Sequence, residues 1–152
     1  MGMVVQVKEI MVKKVTSLAI ERSVREAAEL MSRADVGSIL AVVDERPVGI
    51  VTERDIVRKI VAEGVDASKI RVAEVMSTPL VTVASTASIE EACEQMTTYK
   101  IRYLPVVEED DIVGIIAARD IAMALAKEQN FEDVRLNALA GVKLGALPSP
   151  YD

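Results

Sequence analysis

Displacing the sequence against itself by 65 residues aligns Val7 to Ile56 with Val72 to Ile121 without a gap, and 16 of those 50 positions are identical. Chance matching at this residue usage would give about 5. The chain is therefore an internal duplication, and whatever it folds into must satisfy one pattern twice. A period of 65 residues is too long for a solenoid unit, and two copies point to a pseudo-twofold pair. In 152 residues each half is too small to cover both faces of its own strands, so the halves are expected to pack sheet against sheet.

Each copy reads alike. Ser23-Val24-Arg25-Glu26 and Ser88-Ile89-Glu90-Glu91 are capping-box sequences that start helices. Apolar residues follow at one helical face, Val24, Ala27, Ala28 and Met31 in one copy and Ile89, Ala92, Cys93 and Met96 in the other. The two methionines and Cys93 read as core residues that fill gaps. Ile39 to Val43 and Leu104 to Val107 are β-branched runs suited to buried strands. Acidic turns lead from them to second strands, Val48 to Val51 and Val113 to Ile116. A closing helix carries Ile56, Val57, Ile60 and Val61, matched by Ile121, Ala122 and Leu125, and Gly64 is placed to end the first. The fold class is mixed α/β (α+β), with two β-α-β-β-α repeats in pseudo-twofold relation. The domains are 4–64 and 72–128, joined by a linker at 65–71. The tail 129–152 is apolar for a terminus and is expected to dock on its own domain, a sister subunit or a partner.

Several function classes are disfavoured. The formal charge is −6, which repels a polyanionic backbone, and no basic run exceeds Lys13-Lys14; no nucleic-acid partner is expected. No apolar run approaches the ~18 residues that span a bilayer, and the first apolar stretch is broken by Lys8 and Glu9. No membrane partner and a cytoplasmic location are expected, in keeping with a lone cysteine. The chain has no histidine, so Ser-His catalysis and His-based metal sites are excluded. The acids Glu108 to Asp111 read as a solvated hairpin turn rather than a cation site. No GxxxxGK[ST] phosphate loop is present. The chain is not expected to be an enzyme; a detached fragment of a larger one such as inosine-monophosphate dehydrogenase has little support.

Thr52-Glu53-Arg54-Asp55 ends a strand and admits two readings. It is a capping box for the next helix, and it is also a hydroxyl and a carboxylate able to hold ribose hydroxyls and phosphate. The second copy, Ala117-Ala118-Arg119-Asp120, keeps the aspartate and loses the threonine; a site there is expected to be weakened rather than abolished. Arg54 and Arg119 sit where a positive charge opposes a helix dipole, so their recurrence asks for an anionic ligand or a neighbouring acid.

Ile10-Met11 and Val75-Met76, Leu104-Pro105-Val106-Val107, and Gly49-Ile50-Val51-Thr52-Glu53-Arg54-Asp55 with Gly114-Ile115-Ile116-Ala117-Ala118-Arg119-Asp120 occur in order and in duplicate. Together they resemble the CBS domain family, over about residues 4 to 128, as a tandem CBS pair (Bateman module). The resemblance implies two clefts at the domain interface, each able to bind an adenosine-containing molecule such as AMP, ADP, ATP or S-adenosylmethionine. The nucleotide would be a regulatory ligand and not a catalytic cofactor. The implied first cleft comprises Thr52, Arg54, Asp55, Thr78, Val83, Ile101 and Arg102, with Val83 and Ile101 against adenine and Arg102 toward phosphate. The implied second cleft comprises Lys13, Leu18, Val36, Gly37, Arg119 and Asp120. The resemblance also implies a homodimer and a regulated partner protein that reads ligand occupancy. The competing reading is a ligand-free dimerisation or partner-docking scaffold, and no metal site is expected.

Overall fold

The computed structural model describes residues 5–128; the expected docked tail, and Val4, lie outside the described residues. In chain order the elements are α1 (Val7–Ile10), β1 (Ser17–Ala19), α2 (Val24–Ala34), β2 (Ser38–Val43), β3 (Arg46–Thr52) and α3 (Glu53–Ile56). The second copy follows as α4 (Val72–Val75), β4 (Val83–Ala84), α5 (Ile89–Tyr99), β5 (Tyr103–Glu108), β6 (Asp111–Ala117) and α6 (Ala118–Glu128). Two three-stranded sheets result, ordered β1-β2-β3 and β4-β5-β6. In each, the first pair is parallel and the second is an antiparallel hairpin. Helices α2 and α5 are the crossovers that parallel pairing demands.

The helix starts follow from their caps. The Ser88 hydroxyl accepts from Glu91 N–H at 3.1 Å, and the Glu91 carboxylate accepts from Ser88 N–H at 3.3 Å. Only half of this forms in the first copy. Ser23 accepts from Glu26 N–H at 3.1 Å, but the Glu26 carboxylate is taken by the Arg22 guanidinium, which holds it below the ordinary carboxylate range. The buried stripe of α5 is Ile89, Ala92 and Met96. Cys93, expected in the core, is exposed: the i+4 flank of that stripe lies beyond the contact with the sheet. Met31 and Met96 are buried as their spacing predicts.

Each hairpin turns on two acidic residues, Asp44-Glu45 and Glu109-Asp110, all four at positive φ (48°, 66°, 50° and 69°). That geometry matches the strand twist of a two-residue turn. The paired Gly49 and Gly114 are explained by a close crossing. A Cβ on Gly114 would stand 2.9 Å from the Val12 carbonyl oxygen, and one on Gly49 would stand 2.9 Å from that of Ser77. At these points the chain bridges across the hairpin, Val12 to Ile115 and Ser77 to Ile50.

The hydrophobic cores exchange their leading helices. Val72 and Val75 of α4 lie in the first core with Val24, Ile39 and Val51. Val7 of α1 lies in the second core with Leu104, Val106 and Ile116. Backbone bonds fix both placements: Val72 N–H donates to Arg22 O at 2.8 Å, and Val7 N–H to Ala87 O at 2.8 Å. Each sheet is thus closed by the segment that opens the other repeat, and the two halves share one structure.

After α3 the backbone widens into a π-type turn over Val57–Val61, with Ala62 N–H donating to Val57 O at 2.9 Å. Gly64, at φ 66°, ends the segment as expected. Of the apolar residues assigned to this helix, Ile60 is buried but Val57 and Val61 are 58% and 68% exposed. The widened turn rotates both away from the core. Met123 of α6 is exposed as well. No helix among the described residues is long and apolar enough to cross a membrane.

Candidate functional site

Two cavities lie where the repeats meet, and equivalent positions of the two copies build them. The larger, about 940 Å³, is lined by Ile115, Ala117, Arg119 and Asp120 of one repeat and by Val36, Gly37 and Ser38 of the other. The smaller, about 290 Å³, is lined by Ile50, Thr52, Arg54 and Asp55 on one side and by Ile101, Arg102 and Tyr103 on the other. Both volumes suit small organic ligands. Strand alternation explains the sets: Ile50 and Thr52, like Ile115 and Ala117, point to the same face of β3 and β6.

Each cavity also has a wall from the segment leading into the partner sheet, and here the expected residues shift. Lys14 and Thr16 line the larger cavity, and Pro79 and Val81 line the smaller. Lys13 and Thr78 are not brought to either, because neighbours in an extended segment point to opposite sides. Leu18 packs against the first core, and Val83 is buried in the second. Both belong to short strands that have already entered their sheets. The remaining expected residues line the two cavities as grouped above.

The two aspartates differ in what they already hold. Asp55 Oδ2 accepts from Thr52 N–H at 2.9 Å and from the Thr52 hydroxyl at 3.1 Å, while Thr52 Oγ1 accepts from Asp55 N–H at 3.3 Å. Asp55 Oδ1 pairs with Lys59 Nζ at 3.2 Å. The capping reading of this motif is realised in full. Asp120 Oδ2 accepts from Ala117 N–H at 2.9 Å, and its second oxygen accepts no hydrogen bond among the described residues. With alanine in place of threonine, the Asp120 carboxylate is less occupied than that of Asp55, and it lies beside the larger cavity. Arg54 and Arg119 make no ion pair among the described residues, so the recurring arginines are not explained by a neighbouring acid.

Glu53, Arg102 and Tyr103 line both cavities, and sequence reasoning missed the first and last of these. A Cβ on Gly37 would overlap the Tyr103 hydroxyl, so the absence of a side chain there is what admits the phenol. Gly37 O also accepts from Glu53 N–H at 3.0 Å, and Arg102 O from Ala118 N–H at 2.9 Å. The partition is pinned by backbone on both sides. Burial, and then the Glu53 charge, push the Tyr103 phenol above its ordinary range, against smaller lowering effects of Arg119 and Arg102. A raised phenol pKa stabilises the fold below the unfolded value of about 10, and that contribution is lost as pH rises through the folded value. Thermal melts between about pH 8 and 11 are expected to show a steeper alkaline loss of Tm in the wild type than in Tyr103→Phe. Parallel curves would contradict it.

Comparison with known proteins agrees with this architecture. The profile of the CBS domain matches residues 7–62 and again 72–127. The CBS domain-containing protein YhcV of Bacillus subtilis is 38% identical over 117 residues, covering 77% of this chain and 83% of that protein. A hexameric CBS-CP12 protein from bloom-forming cyanobacteria aligns with a TM-score of 0.76 at 31% identity, covering 93% of this chain and 90% of that one. The CBS domain pair of protein MJ0100, solved in complex with 5′-methylthioadenosine and S-adenosyl-L-methionine, aligns with a TM-score of 0.74 at 25% identity, covering 82% and 98%. The chain belongs to the CBS domain family and is a tandem pair of its domains.

Proposed function

We propose that this chain is a regulatory module that senses an adenosine-containing ligand, an adenine nucleotide or S-adenosylmethionine, in its two inter-repeat clefts and signals to a partner protein in the cytoplasm. The observation that carries the reading is Asp120: a carboxylate with one oxygen fixed by Ala117 N–H at 2.9 Å and the other available at the wall of a cavity of about 940 Å³. A carboxylate so placed accepts from vicinal ribose hydroxyls. Ile115 and Val36 of the same cavity supply apolar surface for a purine, and Arg119 supplies a donor fork for a carboxylate such as that of S-adenosylmethionine. The adenosyl ligands held by the CBS pair of MJ0100 support the ligand class. Binding rather than catalysis fits a site without histidine.

Signalling requires that the ligand bind one arrangement of the repeats better than another. What supports this reading is that both clefts draw their lining from both repeats, so closure around a ligand would move one repeat against the other. Self-association into a homodimer is part of this reading, and Val61 and Met123, exposed apolar side chains outside both clefts, are candidates for burial there.

A thermal-shift screen of adenosine, AMP, ADP, ATP and S-adenosylmethionine tests the proposal. At least one compound is expected to raise Tm in a saturable manner, by the stabilisation that follows from selective binding to the folded state. A flat response to all five would overturn it.

A further inference from the structure

The two clefts are built from equivalent positions, so the places where those positions differ in charge stand out. The C-terminal cap of α2 is Asp35 and that of α5 is Lys100, both left-handed at φ 55° and 56°. Asp35 lines the larger cavity and Lys100 the smaller. One position thus presents opposite charges to the two clefts.

Other differences run the same way. Arg58 lines the smaller cavity, and its equivalent in the second repeat is Met123. Setting aside the shared Glu53 and Arg102, the smaller cleft has Arg54, Arg58 and Lys100 against Asp55. The Asp55 charge is itself met by Lys59 at 3.2 Å. The larger cleft has Lys14 and Arg119 against Asp35 and Asp120. One cleft therefore carries a cationic surplus while the other is balanced.

On the reading that adenosyl ligands occupy these clefts, the geometry points to a sorting of ligands by charge. The Asp55 cleft takes the polyphosphorylated ligand, and the Asp120 cleft takes an uncharged or cationic adenosyl compound. The positions that decide it are Lys100 and Asp35, both exposed caps that contribute nothing to the core.

Calorimetric titration of the full chain with ATP and with adenosine, at low ionic strength, tests the assignment. Lys100→Asp is expected to weaken the tight ATP step about tenfold, an effect that added salt diminishes, and to shift adenosine binding less than threefold. Asp35→Lys is expected to create a second ATP step of comparable strength. Each substitution installs a residue type with the same charge as the equivalent position of the other repeat, and far-ultraviolet spectra confirm folding. ATP affinity within twofold of wild type in Lys100→Asp, or a Lys100→Asp loss equal for ATP and adenosine, overturns the sorting alone. Absence of saturable binding by both compounds overturns the reading beneath it as well.

Discussion

Replacing Asp120 by alanine is expected to weaken adenosyl-ligand binding at least tenfold while leaving Tm within a few degrees of wild type. The binding loss follows from the hydrogen bonds of a charged acceptor, about 1.5–3 kcal/mol. The stability cost is small because, among the described residues, the Asp120 carboxylate accepts one hydrogen bond from the fold, from Ala117 N–H. Asp55 presents the opposite balance. Its carboxylate completes a reciprocal cap with Thr52 and pairs with Lys59, so Asp55→Ala is expected to cost about 0.5–2 kcal/mol of stability through the lost cap. Titration calorimetry and thermal melts on both variants separate the two roles. If Asp120→Ala bound its ligand as wild type does, the ribose assignment would fail.

The second large effect concerns how the cores are closed. Val72→Ala with Val75→Ala is expected to destabilise the protein by about 2–4 kcal/mol. The two side chains are 0% and 4% exposed in the first core, and each loses two carbons at about 0.8 kcal/mol per buried methylene, plus a cavity term. The better helix propensity of alanine offsets only a few tenths per site. Denaturant unfolding measures it. A loss below about 1 kcal/mol would show that α4 is not part of the first core, and the exchange of leading helices would have to be abandoned.

That exchange marks the limit of what the sequence discloses. The repeat, both hairpins and the helix α5 cap are local patterns and stand where their residues predict. Which core α1 and α4 enter is a long-range matter, and Val7 and Val72 are equivalent in the repeat, so pattern alone assigns each to its own copy. Cys93 failed for a related reason: helical spacing finds the buried face but not how wide the sheet beneath it is. At the site, Asp55 and Asp120 were legible because each follows a strand end by a fixed helical step, whereas Gly37 and Arg102, in bends just before β2 and β5, came only from the family resemblance. Lys13, Thr78, Leu18 and Val83 were not legible, since the phase of an extended segment cannot be read where no periodic pattern anchors it. Tyr103 was missed despite its place beside Arg102. Its signal in the sequence is a bulky polar aromatic one residue before Leu104 where the first copy has the small Ser38; the contact with Gly37 is visible only in the structure.

The central claim is that adenosyl ligands enter between the repeats. Amide chemical-shift mapping of the isotopically labelled chain during titration with adenosine and with ATP tests it most directly. The largest shifts are expected at Gly37, Ala117, Ala118 and Asp120 with adenosine, and at Thr52, Asp55, Ile101 and Arg102 with ATP. Saturable shifts confined instead to the outer face around Thr82, Glu94 and Thr98, which forms a separate cavity, would contradict it.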